Sequence, residues 1–149
     1  MVNIDSKFWH WYHNVSECHY HIQITVKYRK ILLDKKVEKV ILDSLRGIKE
    51  RYAIEITHVG FDQNHVHILL RFLPQYSGSQ VIKILKSITA KEVFRTLPEI
   101  KKILWGGEFW TNGYYIATVS GRGTKKVIET YIINQGRTKA VKQLALFEL

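Results

Sequence analysis

Two short stretches of this chain carry residue types whose spacing suits chemistry. His65-Val66-His67 lies inside an apolar run, and Tyr131-Ile132-Ile133-Asn134-Gln135 lies near the C-terminal end. Alternate residues of a strand share a face, so His65 and His67 emerge together, about 6–7 Å apart along the strand. Two neutral imidazoles at that separation can converge on one ion. Residues four apart on a helix also share a face, so Tyr131 stacks over Gln135, with Ile128 and Ile132 as the neighbouring apolar edge. A carboxamide oxygen beside two imidazoles extends the ligand set for a divalent metal, and the phenol next to it is a nucleophile. With an ordinary pKa of about 10, that phenol attacks poorly at neutral pH unless a nearby cation favours its ionised form. The combination points to metal-assisted phosphoryl transfer.

Each signal also has a plain structural reading. Histidines on a half-exposed strand serve as ordinary polar residues, and a tyrosine on an amphipathic helix usually packs; the chain has eight tyrosines. His19-Tyr20-His21 repeats the His-x-His spacing, with Cys18 beside it as a third candidate ligand. What separates the pairs is the partner each can recruit. His65 and His67 have the terminal helix, whereas His19 and His21 have no nucleophile at defined spacing. His21 is therefore a candidate for supporting a ligand from behind.

Composition narrows the partners. At 149 residues the chain is long enough to bury a core without staples, and one domain over 1–149 is expected. The formal net charge is +10, from 23 Lys and Arg against 13 Asp and Glu, which favours a polyanion such as nucleic acid. The basic residues are spread along the chain rather than gathered on one amphipathic helix, which argues against a membrane. Cys18 is the single cysteine, so an intrachain disulfide and a thiolate metal cluster are both excluded. With no signal-peptide pattern and no long apolar run, a cytoplasmic location is expected.

The elements that must position these residues follow from periodicity. Residues 19–28 alternate, with Tyr20, Ile22, Ile24 and Val26 facing one way, and predict a strand. Asp34 to Arg51 takes a helical period, residues 53–61 and 65–72 form a hairpin around Asp62-Gln63-Asn64, and Ser77 opens a second helix running to Thr96. Pro98 to Leu104 predicts a short helix, residues 104–113 a glycine-punctuated aromatic loop, and Tyr114 to Val119 a fourth strand. Gly121 and Gly123 lie in a connector to a last helix, Thr124 to Gln135, stopped by Gly136. The order β-α-β-β-α-β predicts an α+β fold. It is the ferredoxin-like split βαβ arrangement, an antiparallel sheet with two helices on one face, here with an extra C-terminal helix carrying Tyr131.

Taken together, these stretches resemble the HUH-class single-tyrosine transposases of small insertion sequences that transpose as single-stranded DNA. The resemblance rests on HYHIQITVKYRKIL (19–32), NHVHILLRF (64–72), LWGGEFWTNGYYIATVSG (104–121) and YIINQ (131–135), and spans about residues 18–137. It implies that His65, His67 and Gln135 hold Mg²⁺ or Mn²⁺, and that Tyr131 attacks a DNA phosphate. The products would be a 5′-phosphotyrosyl link and a free 3′-hydroxyl, followed by strand transfer. It further implies recognition of subterminal DNA hairpins and a homodimer in which each terminal helix completes the partner's site. Residues 1–17, with Phe8, Trp9, Trp11 and Tyr12, and the tail after Arg137 do not match the family core.

Single-strand binders join a cationic groove to aromatic platforms. Candidate cations are Lys27, Arg29 and Lys30 after the first strand, Lys83, Lys86 and Lys91 on the second helix, and Arg122, Lys125 and Lys126 before Tyr131. Trp105 and Trp110 are read either as base-stacking platforms or as packing. Three rival functions share these features. The first is a domesticated relative acting on repeated palindromic sequences. The second is a non-catalytic single-strand-binding module, although the exposed strand carries His-x-His where stacking aromatics would be expected. The third is a nuclease that uses activated water, with Tyr131 structural.

Overall fold

Local chemistry starts both long helices. The Asp34 carboxylate accepts the Val37 N–H at 3.0 Å and caps α1, Lys35–Arg51. Val37, Ile41, Leu45 and Ile48 then form one buried stripe. Ser77 and Gln80 exchange side-chain and backbone hydrogen bonds in a capping box that opens α2, Gly78–Thr96. Its buried side is Val81, Leu85, Thr89 and Val93, each four residues after the last. Pro98 begins the short α3, Pro98–Ile103, where its missing N–H costs nothing.

The computed structural model describes residues 9–11, 14–16, 18–119 and 145–148. Within them lie seven strands: β1 Trp9–Trp11, β2 Asn14–Ser16, β3 His19–Thr25, β4 Ile54–Phe61, β5 His65–Phe72, β6 Tyr115–Val119 and β7 Ala145–Glu148. β1 and β2 pair by themselves as an antiparallel ribbon. The other five form one antiparallel sheet in the order β6-β3-β5-β4-β7. Its first four members have the ferredoxin-like order expected from the sequence. β7, in the unmatched tail, extends that sheet along the outer edge of β4.

Tyr20, Ile22 and Ile24 of β3 and Val66, Ile68, Leu70 and Phe72 of β5 share the face that meets α1 and α2 in one core. Gly78 lets α2 begin hard against β6, since a Cβ there would lie 2.8 Å from Ile116 Cδ1. β4 keeps its apolar residues in the core only by means of a bulge. The register shifts between Ile56 and His58, so Ile54, Ile56, Val59 and Phe61 all face the helices although their spacing breaks period two.

Most boundaries fall within a residue of the sequence expectation, and the largest difference is in the first strand. The first strand stops at Thr25, not at Tyr28. Val26 makes an isolated bridge to Trp110, and Lys27–Arg29 form a single 3₁₀ turn. Tyr28 and Arg29 there adopt the left-handed region, with φ of 59° and 53°. The expected last helix, with Arg122, Lys125, Tyr131 and Gln135, lies outside the described residues, as does the Gly121–Gly123 connector.

Candidate metal and DNA site

The second face of the sheet is polar at its centre. β5 contributes His65 and His67, and β3 contributes His19, His21, Gln23 and Thr25. Gln23 lies directly opposite His67 and Thr25 opposite His65, while Gly60 of β4 flanks His67 on the other side. The His65 and His67 rings meet edge to face, with centroids 4.8 Å apart. His67 is fully buried.

Hydrogen bonds orient both rings. His65 donates from Nδ1 to Asn64 Oδ1 at 2.7 Å, which leaves Nε2 with its lone pair, 3.7 Å from Asp62 Oδ2. His67 Nδ1 lies 2.9 Å from His21 Nε2, and those rings are stacked with centroids 5.1 Å apart. With the proton on His67 Nδ1, the bond to His21 leaves a lone pair on His67 Nε2. That atom is buried and has no hydrogen-bond partner among the described residues. A buried polar atom without a partner is costly and calls for an explanation. A divalent cation drawn to two Nε2 lone pairs on one face fits this arrangement. Among the described residues no cluster of three or more His, Cys, Asp or Glu is arranged to hold a metal, so two imidazoles need a further ligand from elsewhere.

Burial keeps these imidazoles neutral. It pushes His67 down to about 3, with the charges that His65 and His21 would carry adding to the effect. It pushes His21 down to about 4. His65 is also lowered, mainly by burial; the Asp62 carboxylate opposes this and the Arg29 guanidinium adds to it. Neutral rings are the forms that ligate metals.

His19, the other member of the early pair, lies at the far end of β3 opposite Arg71 and Val119. The structure therefore brings His21 to His67 and keeps His19 away. Spacing alone could not distinguish the two, although His21 was legible as a supporting group.

The turn after β3 and the aromatic loop dock on each other next to His65. Val26 N–H donates to Asn64 O at 2.8 Å, Lys27 N–H to Phe109 O at 2.7 Å, and Thr111 N–H to Thr25 O at 2.8 Å. Lys27 Nζ pairs with Glu108 at 2.6 Å. The Lys86 ammonium, on α2, donates to the carbonyls of Thr111 and Gly113 at 2.7 and 2.8 Å and so holds the end of the loop. Lys83 is exposed on α2 and Arg29 is exposed in the turn. Left-handed backbone in residues other than glycine costs about 1–3 kcal/mol, and Tyr28 and Arg29 adopt it side by side. The two tryptophans of the loop part company. Trp110 is buried, donating from Nε1 to Thr89 Oγ1 at 2.9 Å, whereas Trp105 is 82 % exposed.

Comparison with known proteins identifies what this arrangement belongs to. The family model described as "Transposase IS200 like" matches residues 14–135. The ISDra2 transposase TnpA of Deinococcus radiodurans is 36 % identical over 121 residues, covering 81 % of this chain and 86 % of that protein. The transposase for insertion sequence element IS200 of Salmonella typhimurium is 30 % identical over 123 residues, covering 83 % of this chain and 80 % of that protein. A crystal structure of a D. radiodurans protein described as a transposase superposes with a TM-score of 0.68 at 32 % identity, covering 85 % of this chain and 96 % of that one. A REP-associated tyrosine transposase bound to a REP hairpin shares the fold at a TM-score of 0.53 and 13 % identity, over 90 % of this chain and 78 % of that one.

Proposed function

The chain belongs to the IS200-like transposase family, whose enzymes cut and rejoin DNA, and from that premise we propose that Tyr131 cleaves single-stranded DNA beside a divalent metal held by His65, His67 and Gln135. The observation that carries this reading is the His67 ring: buried, kept neutral, and presenting an Nε2 without a partner among the described residues, on the same face as His65. The family match also extends through Tyr131 and ends at Gln135.

Bound there, Mg²⁺ or Mn²⁺ supplies Lewis-acid polarisation of the phosphate and favours the ionised phenol. Tyr131 Oη attacks phosphorus, and a tyrosyl O–P bond forms as the bond from phosphorus to the 3′ oxygen breaks. The phenol loses its proton and the departing 3′ oxygen gains one. The products are a 5′-phosphotyrosyl link and a 3′-hydroxyl. One phosphodiester is exchanged for another, so a second 3′-hydroxyl can attack the phosphotyrosine and release Tyr131 without an external energy source. Arg29, Lys83, Arg122 and Lys125 contact phosphates in this reading, while Lys27 and Lys86 hold the loop beside them. The substrate is DNA with subterminal hairpins, and a homodimer shares its terminal helices between two sites. No helix among the described residues is long and apolar enough to cross a membrane.

The test is a denaturing gel of the full chain with labelled single-stranded DNA from the flanks of its own gene, in Mg²⁺ or Mn²⁺. The expected result is a metal-dependent, SDS-resistant adduct that maps to Tyr131 and is absent in Tyr131→Phe, which still binds the DNA. Cleavage without an adduct would replace this reading with a water-using nuclease. Binding with neither adduct nor cut would replace it with a non-catalytic module.

A further inference from the structure

We propose that the turn after β3 and the start of the aromatic loop form a stacking platform for an unpaired DNA base flanking the scissile phosphate, with Trp105 as its floor, Tyr28 beside it, and Arg29 and Lys30 on the adjoining phosphates. This rests on the reading of the chain as a single-stranded DNA enzyme, but it does not depend on which residue is the nucleophile.

Three observations converge on the aromatics. Trp105 is the most exposed large apolar side chain among the described residues, at 82 %, although its loop neighbours Phe109 and Trp110 are buried. An indole held in water is a surface that suits a flat apolar partner. Tyr28, 58 % exposed, lies beside Gly106, the residue after Trp105: a Cβ on Gly106 would come 3.9 Å from the Tyr28 hydroxyl. Tyr28 and Arg29 are presented on paired left-handed residues, where glycine would be the easier choice, so the side chains are what the turn supplies.

Charge selects the occupant. Glu108, the acid of this loop, is paired with Lys27, while Arg29 and Lys30, next to Tyr28 in sequence, and Lys101 and Lys102, shortly before Trp105, are exposed. Two copies of this chain meeting here would press those cations together, whereas a phosphate backbone neutralises them. A base has a π-face whatever its identity, and cations tracking the backbone complete the pattern of single-strand recognition. Position then ties the platform to the histidine face. Val26, at the start of the turn, donates its N–H to Asn64 O, and Asn64 orients His65.

The experiment measures anisotropy of labelled oligothymidine and of a blunt duplex with the full chain and its variants. Trp105→Ala is expected to weaken oligothymidine binding by about tenfold. It should leave duplex binding and the thermal melt unchanged, and Trp105→Phe should keep most of the affinity. Arg29→Ala should reduce the slope of log Kd against log salt by about 0.7, the effect of one phosphate on a single strand. Parent-like oligothymidine binding by Trp105→Ala would overturn the platform. So would an equal loss on duplex, or a change in molecular mass in solution with DNA affinity intact, which would assign the patch to a second copy of the chain. If Trp105→Ala loses oligothymidine while no adduct forms on Tyr131, the platform stands and the tyrosine chemistry fails. If an adduct forms on Tyr131 while Trp105→Ala binds like the parent, the chemistry stands and the platform fails.

Discussion

The chain carries two His-x-His pairs, and they end up with different work. His19 and His21 on β3 and His65 and His67 on β5 have the same spacing, lie on the same face of one sheet, and occupy neighbouring strands. They do not make two equivalent sites. The register pairs Gln23 with His67, which brings His21 diagonally onto His67 at 2.9 Å and leaves His19 opposite Arg71. One pair presents its Nε2 atoms, and half of the other pair props it from behind. Spacing chooses a face, while register chooses partners.

The largest effect expected is at His67. His67→Ala should reduce adduct formation by more than about a hundredfold, because even groups that only orient a ligand are worth about 10–100-fold. Single-turnover assays in Mn²⁺ read this directly, and parent-like activity would move the metal assignment to the other pair. His21→Ala is the next step down. It should weaken Mn²⁺ affinity by about 10–100-fold, with activity recovering as Mn²⁺ is raised. A loss that no concentration of metal restores would make His21 something other than a support for His67.

Acid probes the same contrast without a mutation. Unfolded imidazoles take up protons near 6.5, whereas the buried His67 and His21 hold off until about 3 and about 4. Between those limits the unfolded chain binds more protons, so stability rises with pH there and is lost as pH falls below about 6.5. Above that range these two groups contribute no slope. Urea midpoints followed downward from neutral pH should fall, and the fall should be shallower in His67→Ala. Parallel curves for parent and variant would mean that His67 is not held neutral by the fold. The smallest effect belongs to His19→Ala, which should leave Mn²⁺ affinity at the parent's value. A loss matching that of His21→Ala would dissolve the distinction between the pairs.

Much of the fold is legible where the signal is local. Asp34 and Ser77 announce their helices by side-chain capping, and Ile22, Ile24, Ile68 and Leu70 announce their strands by alternation. The bulge in β4 is visible in retrospect, since Ile54, Ile56, Val59 and Phe61 are spaced by two, three and two. β7 is not legible, because four residues near the end of the chain pair with His58 to Phe61 across a long separation. The end of β3 is misread for the same reason. Val26 continues the alternation, but its partner is Trp110, from a loop far along the chain. In the site, the sequence marks His65 and His67 as co-facial and leaves both Trp105 and Trp110 open as base platforms or as packing. It cannot say which tryptophan packs, because that depends on Thr89 waiting on α2 to accept the Trp110 N–H.

What residue order determined here is whatever one segment decides for itself: which side chains share a face, where helices begin, and that the surface is cationic enough for DNA. Those depend on period, capping and charge, all of them short-range or additive. What only the tertiary structure decided is which strand position faces which. The β3–β5 register makes His21 rather than His19 the neighbour of His67, and the docking of the 104–113 loop on the β3 exit leaves Trp105 in water. Register is set by matching apolar faces across distant segments, and a shift of one residue in β3 would turn His19 and His21 to the other side of the sheet.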